Sequence, residues 1–244
     1  MAAIKIFYER NLPHYQPPGF AFFVTFRLTN SIPIKTIIEL KNERQKELEK
    51  ISSIQNKSEK KEHYRKYIGA YFGKFDRLLD GSTTGPKWLL KPEIAEIVKE
   101  AIHFRDGKKY DLFAYTIMPN HVHLVIKPFV ERSEVSNKLQ EIEKISSTAS
   151  DGIENDLHVK RTDCSHYILT FILRSLKWYT AIECNKLLNR SGAFWQHESY
   201  DHVVRDEKEL KRIVKYILLN PVKAGLCETA ENWKWSYYNP NFLV

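Results

Sequence analysis

The sequence predicts an α+β sandwich, helices packed on an antiparallel sheet. Three observations point there: an aromatic, strand-like run at Phe20–Leu28, two strand patterns joined at Pro119–Asn120, and two helix-period stretches after Ser165. The chain has 244 residues, 43% hydrophobic and 13% aromatic, enough for one sizeable core and too apolar for disorder throughout. We therefore expect one domain over residues 1–244, carrying a charged helical insert at 35–67, a variable loop at 131–160 and a C-terminal tail at 228–244.

The elements follow in order. Residues 1–19 form a lead-in with Pro13, Pro17, Pro18 and Gly19, and Phe20–Leu28 then reads as a largely buried strand. Residues 35–67 are almost half charged, with apolar Ile37, Ile38, Leu40, Leu48, Ile51 and Ile54 at helical spacing. That is a solvated helix or a helical hairpin broken near Ser52–Ser53 or Asn56; a plain exposed arm and an arm that grips nucleic acid both fit it. Gly81–Pro86 is a loop, and Pro92–Ile102 a helix with proline in its first turn, ended by Asp106–Gly107. Tyr110–Met118 and His121–Ile126 are antiparallel strands around the Pro119–Asn120 turn. Glu131–His158 is polar and predicts a short helix followed by a loop.

Ser165–Asn189 places Ile168, Phe171, Ile172, Leu176, Tyr179 and Ile182 at three-and-four spacing, an amphipathic helix ended by Gly192. Ser199–Val204 is extended. Asp206 and Glu209 have capping-box spacing for a last helix running to about Asn220, because Pro221 disfavours helical geometry at the residue before it. The tail can cover the site or pack with Trp233 and Trp235 as anchors.

With 38 Lys+Arg against 30 Asp+Glu, the net charge of +8 favours an anionic partner, nucleic acid being the commonest for a basic protein. No run approaches the roughly 18 apolar residues of a membrane span, and the N-terminus lacks an apolar stretch of signal-peptide length. No membrane partner is expected. Cys164, Cys184 and Cys227 suggest neither a disulfide framework nor a paired zinc site, so a reducing cytoplasm is the expected home.

His121-Val122-His123 is the sharpest local feature. On a strand, residues two apart share a face, so two imidazoles can chelate a divalent ion; the tripeptide alone, which recurs by chance, also fits exposed or hydrogen-bonded strand histidines. Tyr216 and Asn220 are four apart on the last helix and so share a face. A phenol has a pKa of about 10 and attacks phosphorus only with help, such as a metal that withdraws charge from the phosphate. The amide oxygen of Asn220 is a candidate third ligand, and the other reading of Tyr216 is a core-edge residue beside Ile213 and Ile217. Lys208, Lys211, Arg212 and Lys215 form a basic stripe for phosphates, or simply a solvated face. Arg27 and Lys223 join them as candidate DNA contacts. His202 is a further candidate site residue, and Tyr179 a rival nucleophile whose place in an apolar stripe favours packing.

Tyr115–Ile126, Phe194-Trp195-Gln196, Tyr200–Arg205 and Tyr216–Leu226, in that order, closely resemble the REP-associated tyrosine transposases, single-tyrosine members of the HUH endonuclease superfamily. The resemblance implies a ferredoxin-like fold and a transposase-type catalytic domain. It implies His121, His123 and Asn220 as ligands of Mg²⁺ or Mn²⁺, and Tyr216 as the nucleophile that forms a 5′-phosphotyrosine and frees a 3′-OH. The implied substrate is single-stranded DNA folded into a hairpin, in DNA transposition or REP-element processing near the bacterial nucleoid. A homodimer stays open, and a domesticated protein that binds hairpin DNA without cutting it is the alternative.

Overall fold

The computed structural model describes residues 7–9, 13–82, 84–129 and 167–242. In chain order the elements are β1 (Phe7–Glu9), β2 (Pro13–Tyr15), β3 (Ala21–Arg27), α1 (Ile34–Ser52), α2 (Lys57–Asp80), α3 (Pro92–His103), β4 (Tyr110–Ile117), β5 (His121–Pro128), α4 (Ile168–Leu187), β6 (Tyr200–Val204), α5 (Glu207–Lys223) and β7 (Ser236–Tyr238). The predicted short helix and loop in Glu131–His158, and Cys164, lie outside the described residues.

Strand β3 sits inside a five-stranded antiparallel sheet of order β6-β3-β5-β4-β7, as a run apolar on both faces must. Setting α1 and α2 aside, β3-α3-β4-β5-α4-β6 has the ferredoxin-like order, with β7 added at the β4 edge. Strand alternation divides the core. Phe22, Val24, Phe26, Val122 and Leu124 face α3 and α4, while Phe23, Ala114 and Val125 face Leu210, Ile213, Val214 and Ile217 of α5. His121 and His123 lie on the α5 side by the same alternation.

Helix α5 begins as its capping box predicts: Asp206 Oδ1 accepts from the Glu209 amide at 2.7 Å, and Glu209 Oε2 accepts from the Arg205 amide at 2.9 Å. It passes through Pro221 to Lys223, beyond the expected stop at Asn220. The proline falls in the last turn, where the Ala224 amide still donates to the Asn220 carbonyl at 2.9 Å, so only one ladder bond is lost.

The charged insert is a helical hairpin that breaks where the sequence indicates, with Asn56 Oδ1 capping α2 by accepting from Ser58 and Glu59 amides. Helix α2, however, continues past Tyr67 to Asp80, and its end is buried at Asp76 and Leu79. The loop after it closes against the turn after β3 at Gly85, where φ is +86° and a Cβ would lie 2.4 Å from the Asn30 carbonyl oxygen.

On α4 the expected apolar stripe is rotated. Leu169, Ile172, Leu173, Leu176, Thr180 and Cys184 are buried, whereas Phe171 and Tyr179 are 52% and 45% exposed. The segment is apolar nearly all round, so spacing alone does not fix which face meets the sheet. The C-terminal tail packs as an edge: Trp235 is buried, Trp233 Nε1 donates to the Ile117 carbonyl at 3.1 Å, and Ser236–Tyr238 pairs with β4. No helix among the described residues is long and apolar enough to cross a membrane.

The β1–β2 ribbon is fastened to edge strand β6 through buried His14, which contacts the Asp201 carboxylate through Nδ1 and lies 3.5 Å from Glu198 through Nε2. Burial opposes the charged imidazole, but the bonds and charges of Asp201 and Glu198 outweigh it and raise the pKa to about 9. The imidazolium therefore stabilises the fold fully below its ordinary value of 6.5, and this contribution, on the order of 2–3 kcal/mol, is lost as pH rises through about 9. Thermal melting of wild type and His14→Gln should show a gap at neutral pH that closes by pH 10; a gap independent of pH contradicts this account.

Candidate active site

Both histidines of β5 are fully buried, with Nε2 atoms 3.1 Å apart. Their outer nitrogens are fixed. Asn120 Nδ2 donates to the Leu79 carbonyl at 2.9 Å, which turns Asn120 Oδ1 towards His121 Nδ1 at 2.7 Å. An acceptor there places the proton on Nδ1 and leaves a lone pair on Nε2. Thr25 Oγ1 holds His123 Nδ1 at 2.8 Å, and the Asn220 amide reaches His123 Nε2 at 3.1 Å, again addressing a lone pair. Burial, then the neighbouring His123, hold the His121 pKa well below its ordinary value. Two imidazoles whose Nε2 atoms face each other, oriented by carbonyl and hydroxyl partners behind them, are the arrangement of metal-ligating histidines.

Helix α2 brings a carboxylate to the same point. Asp76 Oδ1 lies 3.2 Å from His123 Nε2, and Oδ2 accepts from the Tyr216 hydroxyl and, at 3.4 Å, from Asn220 Nδ2. Burial alone would raise the Asp76 pKa, but His123, His121 and the Asn220 bond together lower it below the usual value. Asp80, one turn on, has Oδ1 3.8 Å from His121 Nε2; burial and the Asp76 charge raise it to about 7 against His123 and Lys223.

Among the described residues, Asp76, His121 and His123 are a group whose ligand atoms all lie within 4.8 Å of one another. Asp76 Oδ1, Asp80 Oδ1 and Asn220 Oδ1 are buried oxygens without a hydrogen bond. Oxygens left unpaired beside two imidazole lone pairs cost free energy unless a cation joins them. The mixed nitrogen and oxygen donor set suits Mn²⁺ and, with water and phosphate oxygens completing the sphere, Mg²⁺. The residues present thus fit the divalent ion that the sequence motifs imply.

Tyr216 stands at the rim, partly buried, four residues before Asn220 on one face of α5. Phe23 and Phe72 meet its ring edge-on at 6.3 and 6.5 Å, and Lys223 Nζ lies 4.9 Å from its centroid. Of the sequence-derived candidates, the structure therefore gathers His121, His123, Tyr216 and Asn220. Asn220 presents Nδ2 to the histidines rather than the expected oxygen; a half-turn of the amide exchanges the two.

The remaining candidates lie around or away from this point. His202 Nε2 is held by Glu209 at 3.0 Å, outside the cluster. Lys208, Lys211, Arg212, Lys215 and Lys223 are exposed on α5, Lys211 paired with Glu207 at 2.9 Å and Arg212 with Glu209 at 3.3 Å. Arg27 stands apart: it is buried, donates to Ser31 Oγ at 3.0 Å, and burial lowers its guanidinium to about 10 despite Glu198 and Tyr71. Tyr179 is on α4, across the sheet from the histidines. Asp76 escaped the sequence reading. Its signal was an acid at a helical position in register with Ile68, Phe72 and Leu79, on the face that an amphipathic helix buries.

The site thus places a buried group of side chains that could hold a divalent ion beside a tyrosine hydroxyl hydrogen-bonded to one of them. No protein-family model matches the chain. A Haemophilus influenzae protein that carries the provisional name REP-associated tyrosine transposase is 34% identical over 55 residues, 22% of this chain and 31% of that protein. The match thus spans about a third of the relative's length. A solved structure of a REP-associated tyrosine transposase bound to a REP hairpin aligns over 94% of this chain and 80% of its own, with a TM-score of 0.46 and 16% identity, a level that carries no functional argument. The chain's motifs resemble the REP-associated tyrosine transposases, and the curated relative bears that name.

Proposed function

We propose that residues 1–244 work as a single catalytic domain, a divalent-metal-dependent endonuclease and strand transferase for single-stranded, hairpin-forming DNA, of REP-associated tyrosine transposase type. The observation that carries this reading is the contiguity of the Tyr216 hydroxyl, the Asp76 carboxylate and the facing Nε2 atoms of His121 and His123. The short similarity to the named relative supports the same class.

The Tyr216 oxygen forms the new bond to phosphorus while the bond from phosphorus to the 3′ oxygen breaks. The products are a 5′-phosphotyrosine and a free 3′-OH, and one phosphodiester is exchanged for another. Asp76 Oδ2, already accepting from the phenol, orients it and is the acceptor at hand for its proton. His121, His123, Asp76 and Asn220 would hold Mg²⁺ or Mn²⁺, which when bound supplies Lewis-acid polarisation of the scissile phosphate. The α5 lysines and arginine offer charge for the DNA backbone.

The test is incubation of the protein with labelled single-stranded DNA carrying the hairpins that flank its own gene, with Mn²⁺ or EDTA, read on a denaturing gel. A slow-migrating, protease-sensitive adduct should form with Mn²⁺ alone. His121→Ala/His123→Ala should lose both the adduct and Mn²⁺ binding by calorimetry. DNA that is bound but never cut replaces this reading with that of a non-cleaving hairpin-binding protein.

A further inference from the structure

With Tyr216 taken as the nucleophile, as proposed above, the geometry points to the groove between α2 and the β6–α5 corner as the path along which an unpaired DNA strand reaches it, the charged insert forming one wall. The groove holds about 960 Å³. Its α2 wall runs from Ser58 to Gly73, roughly 22 Å at 1.5 Å per residue, and ends one turn before Asp76, the partner of the Tyr216 hydroxyl.

The wall chemistry matches a single strand. Five cations, Lys61, Arg65, Lys66, Arg205 and Arg212, line the groove against two carboxylates, Glu62 and Glu209. Both carboxylates are matched within the fold, Glu62 to Lys66 at 2.7 Å and Glu209 to Arg212 at 3.3 Å, so Lys61, Arg65 and Arg205 are the positive excess. Near Tyr216 the lining becomes aromatic, with Phe72 and Tyr200 stacked at 4.3 Å. Cations along a groove with aromatic faces at its end hold a phosphate backbone and stack exposed bases, which a duplex keeps inside.

A second observation comes from the backbone. Gly69 and Gly73 lie in the middle of α2 and both line the groove. Glycine weakens a helix interior, and packing within this fold does not require it here: a Cβ on Gly69 would meet nothing within 4 Å, and one on Gly73 only the Arg77 guanidinium at 3.9 Å. Space kept open at a cost in helix stability is explained by an occupant that approaches the backbone closely.

The experiment is fluorescence anisotropy of a short fluorescein-labelled oligothymidylate over a KCl series, beside the adduct assay. Lys61→Gln/Arg65→Gln should weaken binding about ten-fold at low salt. Losing two phosphate contacts should also flatten the log–log salt slope by about 1.4. Gly69→Gln/Gly73→Gln should weaken binding likewise, whereas Gly69→Ala/Gly73→Ala should raise Tm, showing that the glycines are not there for the fold. If wild type forms the adduct while the Lys61/Arg65 variant keeps its affinity and slope, the groove assignment falls and the cleavage reading stands. If wild type binds with the expected slope change but never forms the adduct, the groove stands and the cleavage reading falls. Tighter binding of oligouridylate with the same slope change overturns the assignment to DNA.

Discussion

Tyr216→Phe is expected to form no covalent DNA adduct and to lower strand cleavage by about 10⁴-fold or more, because removing a nucleophile leaves only the background that positioning and metal provide. Hairpin affinity should stay close to wild type. The phenylalanine ring keeps the edge contacts with Phe23 and Phe72 and the place beneath Lys223. The lost hydroxyl removes one hydrogen bond from the buried Asp76 carboxylate, a cost of about 1–3 kcal/mol that thermal melting will show. Cleavage through a phosphotyrosine that persists in this variant moves the nucleophile elsewhere.

The second large effect belongs to Asp76. Asp76→Asn keeps the shape of the side chain but removes the charge facing His123 and the strong acceptor of the Tyr216 hydroxyl. Cleavage should fall by about 10²-fold or more, in the range of a lost proton acceptor. Mn²⁺ affinity should fall by about 10–100-fold if the carboxylate also serves the ion. Oligonucleotide binding is the control and should hold. A variant whose adduct forms at the wild-type rate removes Asp76 from the machinery and returns α2 to an outer wall.

These two residues differ in how far the sequence disclosed them. Tyr216 and Asn220 are local in the chain, and helical geometry alone places side chains four apart on one face. His121 and His123 are two apart on a strand pattern, which places both imidazoles on one side of it. The capping box at Asp206–Glu209 and the break before Asn56 were legible for the same reason, since each depends on groups within a few residues. Asp76 lies 45 residues before His121 in a segment whose charged beginning resembles an exposed arm. Nothing local says that its last turns are buried.

By itself, then, the sequence determined the order of the long strands and helices from Phe20 to Asn220 outside residues 131–158, the pairing around Pro119–Asn120, and the sharing of a face within each short motif, because periods of 2 and 3.6 are properties of the backbone. The short strands β1, β2 and β7 carried no such period and emerged only in the fold. Tertiary structure alone decided which faces meet. It set the phase of α4 on the sheet, took Arg27 into the interior, and carried Asp76 against His123 and Tyr216. These outcomes depend on packing between segments far apart in the chain. A helix apolar nearly all round or a carboxylate on a mixed face acquires its role only when a particular partner surface excludes water from it.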